Sequence, residues 1–205
     1  MSLTIIFIGV TILTSYVSFQ NEGLLLKLLH SPTQEYRNKE LYRLFTSGFV
    51  HADWIHLLIN MFVLYQFGGI VEDYYRLLFG EITGEILYAF LYLFGIIFAN
   101  LPTFFKHRGN SHYSALGASG AVAAVVFASI VFQPWSILLI YGIIPLPAVI
   151  AGVLYLLYSS YAARNANDNI GHEAHLYGAI FGFIFTILLD PELIYNFTNK
   201  VINRI

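Results

Sequence analysis

Ser119-Gly-Ala-Val-Ala-Ala-Val-Val-Phe-Ala-Ser-Ile-Val-Phe132 carries no charge, is entered through Gly117-Ala118 and is closed by Gln133-Pro134. As a helix rising about 1.5 Å per residue it covers roughly 21 Å, less than the roughly 30 Å hydrocarbon core of a bilayer. If its closed end reaches one interface, Ser119 lies roughly 9 Å below the other. A serine heading an apolar helix inside the membrane sets how the rest of the chain is read.

Apolar runs recur on both sides of this segment. The 205-residue chain is 58% hydrophobic and 11% charged, with a mean hydropathy of +0.68. A soluble domain is usually about a quarter charged, so too little polar surface remains for water. Six spans are expected: Leu3–Phe19, Trp54–Val71, Glu85–Leu101, Ser119–Phe132, Trp135–Tyr158 and Ile170–Leu189. The first is read as a span and not a signal peptide, since Met1–Thr4 lacks a basic region and no cleavage pattern follows Phe19. The fold class is all-α, a polytopic six-helix membrane bundle forming a single domain over residues 1–205. Pro145-Leu146-Pro147 falls inside the fifth span. Prolines remove backbone donors and bend helices, so this span is expected to kink there, either as a gate or as a static bend that shapes the bundle.

The net charge of −2 offers no basic patch for nucleic acid, and the absence of cysteine excludes thiolate chemistry. The connection Gln20–Asp53 keeps apolar pieces such as Leu24-Leu25-Leu26 and is expected to lie on the membrane surface. Connections after spans one, three and five hold Lys27, Arg37, Lys39, Arg43, Lys106, Arg108 and Arg164; the other side holds Arg76, Lys200 and Arg204. The positive-inside rule would put both termini outside the cytoplasm.

Polar side chains within spans are costly and point to function. His56 and Asn60 share one face of the second span, being four residues apart. Ser119 opens the fourth span and His175 lies near the start of the sixth. Alternating spans make the second, fourth and sixth run in one direction, so all three groups enter from one side. His175 lies roughly 7 Å deep by the helical rise. Ser119 can then be a nucleophile with His175 as its base. His56, Asn60 and backbone N–H groups at the head of the fourth span suit an oxyanion. No carboxylate completes a triad: Asp190 lies at the far end of its span and Asp168 in the preceding loop. Gly178 and Gly182 continue the His175 face as a GxxxG pair that permits close helix contact.

Leu41–His51, the spacing His51-x4-His56-x3-Asn60, Gly68-Gly69-Ile70-Val71-Glu72, Gly117-Ala118-Ser119-Gly120, and Ala174-His175-Leu176-Tyr177-Gly178 with Gly182 follow one another along the chain. In these motifs the chain resembles the rhomboid family of intramembrane serine proteases. The resemblance implies Ser119 as nucleophile and His175 as base. It also implies an oxyanion site from His56, Asn60 and the Ser119 N–H, with Gly117 shaping the turn. Substrates would be transmembrane segments of other proteins within the lipid bilayer; no cofactor is implied. The family topology implies the reverse of the charge-based orientation and is preferred here, because folded connections obey the charge rule poorly. A bacterial cell membrane is the expected location.

There are departures from the family pattern. Tyr42-Arg43 stands where the family usually has Trp-Arg. Ala123 stands where an aromatic, four residues after the serine, often stacks on the histidine, so another side chain must orient His175. Tyr177 replaces a frequent glycine and is expected to loosen helix contact. Two alternatives remain at this point. One is a catalytically inactive relative that binds transmembrane segments. The other is a metal-dependent hydrolase using His51, His56, His172 and His175, although His172-Glu173-Ala174-His175 is one residue short of HExxH.

Overall fold

The computed structural model describes residues 2–140, 143–166, 168 and 170–204. In chain order the helices are α1 (Leu3–Gln20), α2 (Glu22–Leu28), α3 (Pro32–Arg37), α4 (Arg43–Thr46), α5 (Trp54–Phe79) and α6 (Glu81–His107). They continue with α7 (Ser119–Phe132), α8 (Ala148–Asn165), α9 (His172–Leu189) and α10 (Pro191–Asn203). A two-stranded hairpin, β1 (Ile137–Ile140) and β2 (Ile144–Pro147), separates α7 from α8. The all-α, polytopic class holds.

Among the described residues, α1, α5, α6 and α9 are long and apolar enough to cross a membrane. α7 is equally apolar but has only 14 residues. The expected fifth span is not one helix. Its first half pairs as an antiparallel hairpin, with Ile137 opposite Pro147 and Ile140 opposite Ile144. Pro145 and Pro147 therefore sit in a strand, and α8 starts after them. Prolines two apart fall on the same edge of a strand, where both missing N–H groups can face away from the partner. The expected mid-helix kink, and a gate built on it, are set aside.

Close contacts fix the direction of each helix. Gly80 (φ +84°) ends α5 and turns the chain into α6. An added Cβ at Gly95 of α6 would meet Ala121 and Ala124, and one at Gly120 would meet Ala99, so α6 and α7 run antiparallel. Gly178 lies against Gly120 and Gly182 against Ala124, so α7 and α9 run parallel. Tyr155 meets Phe127 and His175 while Tyr158 meets His172, so α8 opposes α9. Thus α5, α7 and α9 point the same way, as the alternation of spans requires.

α7 is the centre of the bundle. All of it except Ser119 and Val126 is buried, as expected for a helix that is apolar on every side. Lys200 of α10 donates to the Phe132 carbonyl at the end of α7 (2.8 Å), and Trp135 Nε1 donates to the Lys200 carbonyl (2.8 Å). A cation at that end also complements the helix dipole.

At the same end of the bundle, Glu72 of α5 caps α1. It accepts from Leu3 N–H (2.8 Å), Thr4 N–H (3.1 Å), Thr4 Oγ1 (2.9 Å) and Ser2 Oγ (2.7 Å), and pairs with Arg76 (2.7 Å).

The opposite end is covered by the connection from α1 to α5. His30 and Ala115 exchange backbone hydrogen bonds (2.9 and 3.0 Å), tying this connection to the one that leads into α7. Buried Arg43 donates to the carbonyls of Leu26 (2.6 Å) and Leu29 (3.2 Å) and to Glu40 (2.6 Å). The Arg43 bond holds the Glu40 carboxyl below its ordinary pKa. Arg108 lies over the Tyr36 ring and Lys106 pairs with Glu173. Much of the positive charge on this side is thus built into a folded cap.

Candidate active site

Gly117 has φ +117°, a conformation that side-chain-bearing residues rarely adopt. Space forbids a side chain as well: a Cβ there would stand 2.6 Å from His56 Cε1. The His56 imidazole therefore lies directly on the turn that delivers Ser119. Asp53 caps α5 by accepting from the His56 N–H (2.8 Å), which sets where that helix begins.

The turn is held from a second direction. Ala118 N–H donates to His51 Nε2 (3.2 Å), while His51 Nδ1 lies 3.0 Å from Ser15 Oγ. Because Nε2 accepts, the proton resides on Nδ1 and is donated to Ser15, whose hydroxyl donates to the Phe49 carbonyl (3.1 Å). Gly117 N–H donates to the Ser47 carbonyl (2.9 Å). His51 is fully buried and holds the approach to Ser119.

The third direction is α9. A Cβ at Gly178 would overlap the Gly120 carbonyl oxygen, and one at Gly182 would overlap that of Ala124. A Cβ at Gly120 would in turn lie 3.3 Å from the Ala174 carbonyl oxygen. Ser119 adjoins Gly120, and His175 lies between Ala174 and Gly178, so the two stand at one level of the bundle. Tyr177 does not loosen this contact as expected. It is exposed and lines a groove with Phe98, Pro102 and Phe181, away from α7.

Ser119, His56, His175 and Gly117 are all half-buried, reachable yet walled by helices. Asn60 is buried and donates through Nδ2 to the His56 carbonyl (2.9 Å), which leaves its second amide proton. His172 Nε2 lies 3.2 Å from both oxygens of Asp168, and this bond lowers the Asp168 pKa. Asp168 thus engages His172 and not His175. Among the described residues no group of three or more His, Asp or Glu side chains is placed to hold a metal ion.

A family model described as the rhomboid domain matches residues 38–192. The chain belongs to the rhomboid family. It is 29% identical over 151 residues to RHOMBOID-like protein 12, mitochondrial, of Arabidopsis thaliana, covering 70% of this chain and 45% of that protein. It is 32% identical over 161 residues to Rhomboid-like protein 11, chloroplastic, of the same plant, covering 73% and 52%. It is 30% identical over 155 residues to Presenilin-associated rhomboid-like protein A, mitochondrial, of Danio rerio, covering 73% and 37%. The chain spans about half or less of the length of these rhomboid relatives.

The rhomboid match takes in His51, His56, Asn60, Gly117, Ser119 and His175. Sequence reasoning missed Tyr155. Its ring stacks near His175 (centroids 6.3 Å apart, planes 23° apart) from α8, a helix that the sequence does not pair with that histidine.

Proposed function

We propose that this rhomboid is an intramembrane serine endopeptidase that hydrolyses peptide bonds in or near transmembrane segments, acting as one membrane domain over residues 1–205. The observation that supports this reading most is the parallel, glycine-lined contact of α7 with α9, in which Gly120, next to Ser119, meets Ala174 and Gly178 on either side of His175, with His56 against Gly117.

His175 takes the Ser119 hydroxyl proton as the oxygen attacks the substrate carbonyl carbon. The resulting oxyanion is stabilised by the Ser119 N–H, His56 and Asn60. The C–N bond breaks as His175 returns the proton to the leaving amine. Water then attacks the acyl ester by the same route in reverse, freeing Ser119. Gly117 supplies the turn that presents the hydroxyl.

The reading involves a multi-pass membrane protein whose partners are transmembrane segments in the bilayer. The relatives named above are labelled mitochondrial or chloroplastic, so they lend no support to a bacterial cell membrane. The test is cleavage of a reporter transmembrane substrate by purified protein in proteoliposomes. Wild type is expected to cut and Ser119→Ala is not. Cutting at the wild-type rate by Ser119→Ala would overturn the proposal.

A further inference from the structure

A general base works only if its imidazole is held in one plane, usually by a hydrogen bond to one ring nitrogen. Among the described residues, two aromatic rings pair with the His175 ring. His172, one turn earlier on the same helix, meets it edge-on (6.2 Å, 82°). Tyr155 meets it nearly plane to plane (6.3 Å, 23°) from a different helix.

The room for the Tyr155 ring comes from small residues. Tyr155 packs against a cluster that includes Ala123 of α7 and Ala179 of α9, one turn after His175. Phe127 backs the tyrosine (5.8 Å, 45°). Gly152, three residues before Tyr155, lets α8 approach: a Cβ there would stand 2.9 Å from Ile130 Cδ1 and 3.5 Å from Phe127. The helix contact, the small residues and the ring form one arrangement.

We propose that Tyr155 is the positioning residue of the base, its α8-borne ring fixing the plane of the His175 imidazole over the space that Ala123 leaves open. This rests on the reading of His175 as base. It makes the orientation of the base depend on how α8 docks, which an aromatic carried on α7 itself would not.

The test compares Tyr155→Phe, Tyr155→Leu and the double variant Ala123→Phe/Tyr155→Leu in proteoliposomes. Cleavage kinetics on the reporter substrate, the labelling rate with a fluorophosphonate probe and thermal unfolding are measured for each. Tyr155→Phe is expected to stay near wild type, because the ring is kept. Tyr155→Leu is expected to lower kcat about tenfold or more at unchanged KM, part of the roughly hundredfold to ten-thousandfold that a general base supplies. Labelling should slow in parallel. Ala123→Phe should recover both rates in the leucine background by supplying a ring from α7. If the leucine variant does not fold, Tyr155→Met serves in its place.

Unchanged kcat in Tyr155→Leu would overturn the proposal. So would equal losses in the phenylalanine and leucine variants, or a loss that follows unfolding and is not recovered by Ala123→Phe. Should Ser119→Ala still cleave, the protease reading itself fails. Should Ser119→Ala be dead and Tyr155→Leu fully active, only the role of Tyr155 fails.

Discussion

Gly178 lies so close to the Gly120 carbonyl oxygen that no side chain fits between α9 and α7 at that level. On the proposed mechanism, the approach of Ser119 to His175 depends on this contact. Lipid supplies little hydrophobic drive between helices, so close packing of small residues carries the association.

Gly178→Ala is therefore expected to destabilise the protein by about 1–3 kcal/mol, the usual penalty of overpacking. It should also slow fluorophosphonate labelling of the fraction that remains folded. The same substitution at Gly69, where a Cβ meets nothing, should change neither. Thermal unfolding with parallel labelling checks both.

His51 offers a sharper distinction, because its Nε2 accepts from the Ala118 N–H. His51→Phe fills the space but leaves that buried donor unpaired, at about 1–3 kcal/mol. His51→Gln keeps an acceptor within reach and should retain more stability and more labelling. Equal behaviour of the two variants would show that the hydrogen bond is not what holds the turn.

His56→Ala and Asn60→Ala are expected to lower kcat more than they raise KM. Loss of one oxyanion donor typically costs about a hundredfold to a thousandfold, and sharing with the Ser119 backbone can soften one loss. Full turnover in both single variants and the double variant would remove these residues from the oxyanion site.

Glu72 anchors α1 at the end of the bundle away from Ser119. Glu72→Ala strands the donors of Ser2, Leu3 and Thr4, while Arg76 keeps its bond to Glu85 (2.7 Å). Each buried donor left unpaired costs about 1–3 kcal/mol. Denaturant unfolding should register that loss, while labelling at low temperature stays near wild type. An unchanged unfolding midpoint would contradict the anchoring role.

The order and direction of the helices were legible because apolar runs and alternation need no tertiary information. Gly117, Ser119 and the Gly178/Gly182 face were legible because a short apolar helix, a turn glycine and a four-residue glycine spacing are each local signals. The hairpin was not. Trp135–Tyr158 is apolar throughout, and apolar runs do not distinguish a strand from a helix by periodicity. Pro145 and Pro147 bend a helix or sit along one edge of a strand equally well, and the pairing with Ile137–Ile140 decided between them. Tyr155 escaped notice because its partner is 20 residues away on another helix, and nothing local to α8 marks it. The buried roles of His51 and Arg43 depend on contacts across the bundle in the same way.

The central claim is that Ser119 is an activated nucleophile served by His175. It is tested most directly by fluorophosphonate labelling of purified wild type, Ser119→Ala, His175→Ala and Ser129→Ala. Ser129 lies on the same helix, and its hydroxyl donates to the Val126 carbonyl (2.6 Å). Wild type and Ser129→Ala should label alike, while Ser119→Ala should not label and His175→Ala should label far more slowly. Labelling of Ser119→Ala at the wild-type rate, or labelling of His175→Ala indistinguishable from wild type, would contradict the account.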